Sequence, residues 1–163
     1  KNQEMIMGVD IATSLLAEGR RSRLVQLLRE ELQIVESIDM DITVLEEGSL
    51  LVLEACCKVE NLEQVEQEIH QLLRISNKTI PTRKEVDRAA QLVRNGLCFS
   101  MEAPIQVAGL AGTQTLWRRA QPLLSPLKYI PIWTPVFLQE KVFAQLQPEL
   151  SFTLIARPKE VCQ

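Results

Sequence analysis

A chain of 163 residues, 46% apolar and 24% charged, is long enough to bury a real core and is balanced like an ordinary globular domain. Its formal net charge of −3 argues against a nucleic-acid protein, which needs a clustered basic face. No apolar run approaches the ~18 residues of a membrane span, and Lys1 in place of an initiator methionine suits a processed or excised piece.

The pattern of residues 3–18 predicts a helix. Met5, Ile6, Val9, Ala12, Thr13 and Leu16 recur at i, i+3, i+4 spacing, and Gly19 is placed to end it. A second helix is expected over 21–32, with Leu24, Leu27 and Leu28 inward. Ile38, Met40, Ile42 and Val44 alternate with Asp39, Asp41 and Thr43, the pattern of a half-buried strand. Residues 46–49 read as a turn and 50–59 as the returning strand of an antiparallel hairpin. Asn61, with Gln64 in the reciprocal capping position, starts a helix bearing Leu62, Val65, Ile69, Leu72 and Leu73. Residues 75–81 read as a loop. Thr82 and Glu85 form a capping box before a long helix that carries Val86, Ala89, Ala90, Val93, Leu97 and Met101 to about residue 102. A helix over 104–119 follows, then a stretch broken by Pro122, Pro126 and Pro131. Thr134-Pro135 starts a last helix, and Leu150, Phe152, Leu154 and Ala156 alternate as a closing strand. No repeat or composition shift divides residues 1–163, so one domain is expected. The order of elements predicts an α+β fold, a two-layer sandwich with helices packed on one face of a small antiparallel sheet.

Chemistry-bearing residues are sparse. Cys56, Cys57, Cys98 and Cys162 have no C-x-x-C spacing. Neighbours on a strand point to opposite faces, so Cys56 and Cys57 are poor partners. Four reduced thiols in a reducing, cytoplasmic compartment are expected. A structural zinc site needs about four nitrogen or sulfur ligands at tight spacing, which this chain does not offer. His70 is the sole histidine and reads as a boundary residue paired to Glu66 one turn earlier. Any serine or cysteine triad would have to use it, and there is no Gly-x-Ser-x-Gly elbow or phosphate loop. Trp117 and Trp133 read as packing residues.

One stretch is more specific: Leu15-Leu-Ala-Glu-Gly19-Arg-Arg-Ser22-Arg23-Leu24, followed by Leu28-Arg29-Glu30-Glu31. It resembles a signature of the pitrilysin/insulinase family of zinc metallopeptidases, which includes the mitochondrial processing peptidases. Further along, Val59-Glu60-Asn61-Leu62, Thr82-Arg-Lys-Glu85-Val-Asp-Arg88-Ala89, Ser100-Met-Glu102, Thr134-Pro-Val136 and Pro148-Glu149 are similar to later family elements in the same order. The family unit begins with a strand before its first helix. Lys1 sits almost at the helix start, so that strand is expected outside this piece.

The resemblance implies a non-catalytic half. The family's peptidase motif, H-x-x-E-H with a distal glutamate, is absent, so no catalytic residue, metal ligand or cofactor is expected in this chain. Zinc is expected in a partner domain or subunit that carries H-x-x-E-H. The resemblance also implies a substrate-contacting arginine at Arg29, a tyrosine seven residues later and a glycine between them. Here the tyrosine position is Glu36 and the glycine position is Gln33. Glu36 also falls in phase with Ile34, Ile38 and Met40, where a carboxylate is out of place unless paired or at the strand's end. Arg20, Arg21 and Arg23 are further candidates for binding an acidic peptide or partner surface. The expected function is binding and positioning peptide substrate for the partner. The alternative is a purely structural or assembly subunit of the same fold. A missing strand leaves a sheet edge open, so self-association as a dimer is expected.

Overall fold

The computed structural model describes residues 3–44, 48–116, 118 and 122–157, and the core is built around the first helix, α1 (Gln3–Ala17). The face read from periodicity is only part of its buried surface. Met7, Ile11 and Leu15 are buried as well as Ala12 and Leu16, and the last two turns are covered on all sides. A helix enclosed all round has no single stripe for periodicity to detect.

Two strands, β1 (Ser37–Val44) and β2 (Ser49–Cys56), form an antiparallel hairpin. Its register pairs Ile38 with Ala55, Met40 with Leu53 and Ile42 with Leu51. Met40 is buried, and Ile38, Leu51 and Leu53 pack against the same core as α1. The opposite face carries Asp39, Asp41, Thr43 and Glu54. The expected α+β arrangement, helices on one face of a small antiparallel sheet, is therefore present. β2 stops at Cys56 rather than continuing to Val59, because Val59–Asn61 turns as a short 3-10 helix. The expected Asn61 cap does not form. Its amide nitrogen instead donates to the Ile34 carbonyl at 3.3 Å, joining the entry of the next helix to the start of the hairpin.

That helix, α2 (Leu62–Lys78), runs through residues expected to be a loop. Tertiary bonds hold its extra turn. Asn77 donates to the carbonyls of Phe143, Ala144 and Leu146, and its own carbonyl accepts from Gln139 at 2.9 Å. The capping box before α3 (Arg83–Ser100) is present as expected. α3 runs antiparallel to α1, since Arg88 near its start donates to the Glu18 carbonyl at α1's end. α4 (Pro104–Leu116) buries no residue. Trp117, at the expected end of this helix, lies outside the described residues, as does Cys162. A 3-10 segment, Ser125–Ile132, packs on α1. α5 (Pro135–Lys141) has the expected cap, the Thr134 hydroxyl accepting from the Phe137 N–H at 3.3 Å.

The closing strand is corrected. Pro148–Leu150 is a 3-10 turn and residues 151–157 pair with no strand. Phe152 and Leu154 are 90% and 83% exposed. Alternation alone does not make a strand. A partner edge must satisfy the backbone, and β1 and β2 are the only strands among the described residues.

Candidate functional site

The signature residues begin with a stop. Gly19 adopts φ +77°, a conformation that L side chains resist, and ends α1. The buried Ser22 fixes the turn: its hydroxyl and its N–H both donate to the Gly19 carbonyl, at 2.7 and 3.0 Å. The chain then enters a π-helical segment, Val25–Glu31. Its wide winding is seen where the Leu32 N–H donates to the Leu27 carbonyl at 2.9 Å. Leu24, Val25 and Leu28 are buried and anchor it. Such π segments are rare and recur at functional sites.

The arginines do not form one patch. Arg20, 83% exposed, forks onto Glu30, Nη2 to Oε2 at 2.6 Å, and holds that carboxyl below its usual range. Arg21 faces solvent. Arg23 turns inward instead. Its Nε and Nη2 donate to the two carboxylate oxygens of Glu85 at 2.7 and 3.2 Å, and its Nη1 donates to the fully buried Ser76 hydroxyl at 3.0 Å. The guanidinium also lies 5.9 Å from the centre of the Phe143 ring. Burial alone would raise the Glu85 carboxyl, but the Arg23 fork and the Thr82 backbone and hydroxyl donors outweigh it and hold it at about 2. One arginine thus ties the turn to α2 and α3. Glu85 was legible in the sequence only as a capping residue, and Ser76 lay in a presumed loop.

Arg29 is different. It is exposed on the π segment, and no hydrogen bond or ion pair engages it among the described residues. Glu36 sits exposed just before β1, its N–H donating to the Cys56 carbonyl at 2.8 Å. Lying at the strand's end, its carboxylate avoids the desolvation that its phase implied.

A family model described as the peptidase M16 inactive domain matches residues 1–93. The chain belongs to this family. Comparison with curated proteins returns no match. Among solved structures it is similar to the inactive peptidase domain of a putative zinc protease from Bordetella parapertussis (TM-score 0.75, 13% identity, covering 88% of this chain and 78% of that one). It is also similar to a protease from Helicobacter pylori (TM-score 0.70, 21% identity, 86% and 34%). A third is the peptidase M16 inactive domain from Pseudomonas fluorescens (TM-score 0.69, 18% identity, 83% and 32%). The chain thus spans about a third of the Helicobacter and Pseudomonas chains.

Among the described residues no three His, Cys, Asp or Glu side chains converge to hold a metal ion. His70 is half-buried on α2, and neither a hydrogen bond nor an ion pair joins it to Glu66. His70 adds a minor electrostatic influence on Glu149, whose carboxyl is lowered chiefly by the Arg74 hydrogen bond.

The glycine position between Arg29 and Glu36 has a physical explanation in this M16 domain. Gln33 adopts φ +54°, the left-handed region that glycine enters freely and glutamine does not. Gln33→Gly is expected to raise the unfolding free energy by about 1 kcal/mol, read by urea titration. A loss of stability would mean that the glutamine side chain contributes more than its backbone costs.

Proposed function

We propose that this domain binds extended peptide and positions it for a zinc-bearing H-x-x-E-H partner, with Arg29 touching the peptide. The chain's non-catalytic membership of a peptidase family gives the setting. The observation that carries the reading is Arg29 itself. It stands on the π segment anchored by buried leucines, with no hydrogen bond or ion pair engaging it among the described residues; Arg21 is likewise exposed but lies on the turn before that segment, while Arg20 and Arg23 are engaged by Glu30 and Glu85. A free guanidinium can bond peptide carbonyls or a carboxylate in a fork that lysine cannot match. Zinc belongs to the partner in this reading. The outer edges of the β1–β2 hairpin, unpaired among the described residues, support self-association as a dimer. The free Cys56, Cys57 and Cys98 support a reducing, cytoplasmic compartment.

A second reading, a structural subunit, is favoured by Glu36, which puts a carboxylate where active relatives place a phenol. The test is turnover by the domain reconstituted with an H-x-x-E-H partner. Arg29→Ala should lower kcat/KM by roughly ten- to hundredfold, the loss of one charged hydrogen bond. Glu36→Tyr should raise it. Equal turnover for wild type and both variants would rule out positioning and leave the structural role.

A further inference from the structure

α1 and α3 lie antiparallel, and beyond their closest packing they leave a cavity of about 400 Å³. That is within the ordinary range of small-ligand pockets. Ile6 and Met7 of α1 and Val93 and Leu97 of α3 supply apolar walls. Two features of the lining are unexplained by the fold. The first is Asp10, whose carboxyl receives no hydrogen bond or ion pair from any described residue. Burial, and then the negative charge of Asp41 on β1, push it up to about 6. Nothing facing it relieves this. The α3 wall presents no charge, and the Ser100 hydroxyl already donates to the Leu97 carbonyl at 2.7 Å. The second feature is Gly96, which stands inside α3 although glycine weakens a helix interior relative to alanine. Gly96 is exposed at the rim of the cavity, and a Cβ there would meet no described residue within 4 Å.

An acid with no counter-charge among the described residues, set in an apolar groove that glycine leaves open at its rim, asks for a cation. We propose that this groove binds a small organic cation, an ammonium or guanidinium on a short apolar stem. The head meets Asp10 and the stem runs along Ile6, Met7, Val93 and Leu97, over Gly96. This site is independent of Arg29 and of the peptide-positioning reading. Asp10 is the only charged side chain in the lining, and the negative charge of Asp41, outside the cavity on the hairpin's other face, also favours a cation. The attraction requires the ionised carboxylate, so binding strengthens as pH rises through about 6.

The test is a titration of the full chain with hexylammonium, hexylguanidinium and 1-hexanol, followed by amide NMR shifts. The expected result is saturable binding of both cations that shifts residues 3–10 and 93–100. At pH 7.5 they should bind at least tenfold tighter than hexanol, and the advantage should shrink toward none at pH 5. Asp10→Asn, near-isosteric and relieved of a buried charge, should keep the fold and bind cation and alcohol alike. Gly96→Leu should block both, with Gly96→Ala as the helix-compatible check on folding. Equal binding of cation and alcohol at pH 7.5, no saturable binding, or a preference that survives Asp10→Asn would each overturn the proposal. A blocked Leu-Arg-Leu peptide that binds tighter than hexylguanidinium would overturn the assignment to a small molecule.

Discussion

Gly8→Ala is expected to lower the unfolding free energy by about 2 kcal/mol, although the same change in a free helix raises it. Alanine is the better helix former by about 0.5–1 kcal/mol. Here, however, the new methyl would lie inside van der Waals contact of the Trp133 ring, against Cζ2, Cη2 and Cε2. The indole cannot simply swing away. It is only 4% exposed, and its ring sits 4.9 Å from that of Phe137 at the entry of α5. Either α1 or the segment ending in Trp133 must shift, and overpacking of this kind costs typically 1–3 kcal/mol. Chemical denaturation gives the number. A double variant identifies the cause. Trp133→Phe removes the benzo edge that the methyl strikes, and also a buried indole N–H with no acceptor among the described residues. Gly8→Ala should therefore cost much less in a Trp133→Phe background. Equal costs in the two backgrounds would show that the methyl is not felt by the ring.

That contact was invisible in the sequence, and the reason is general to what was and was not legible. Local chemistry could be read from neighbouring residues: the Thr82–Glu85 box, the Thr134-Pro135 start, the Gly19 stop and the alternation of Ile38 through Val44 all appear where expected. What failed depended on partners distant along the chain. Asn77 keeps α2 helical through bonds to residues some 66 positions later. Phe152 and Leu154 alternate as a strand would but have no edge to join. The site shows the same division. Ser22 and Arg23 were recognisable as parts of a signature, yet the sequence could not say that one folds the turn and the other fastens it to α2 and α3. Much of the signature therefore maintains architecture. Arg21 and Arg29 are its arginines that no hydrogen bond or ion pair engages among the described residues, and so the ones whose positions call for an external explanation.

Arg23→Ala is expected to cost about 2 kcal/mol at neutral pH, while Arg20→Ala leaves stability almost unchanged. Both arginines make ion pairs of similar length, 2.7 and 2.6 Å, so distance does not separate them. Environment does. Arg20 is 83% exposed, whereas the Arg23 and Glu85 side chains are 21% and 27% exposed. Removing one partner of a buried pair costs about 3–5 kcal/mol and an exposed pair contributes about 0–1. A partly solvated fork that also holds the buried Ser76 hydroxyl falls between. The pH dependence follows from Glu85. Its carboxyl is held at about 2 in the folded chain against an ordinary 4.5. A depressed carboxylate contributes stability that is fully present above about 4.5 and is lost as pH falls through about 2. Without Arg23, burial and the Thr82 donors act alone and most of that depression goes. The stability gap between wild type and Arg23→Ala should therefore be full at pH 6–7 and should close between pH 4.5 and 2, measured by denaturant unfolding across that range. Arg23→Lys should recover only part of the loss, since an ammonium cannot span both Glu85 oxygens and Ser76 together. A gap that stays constant down to pH 2 would assign the loss to packing against Phe143 instead of to the Glu85 pair.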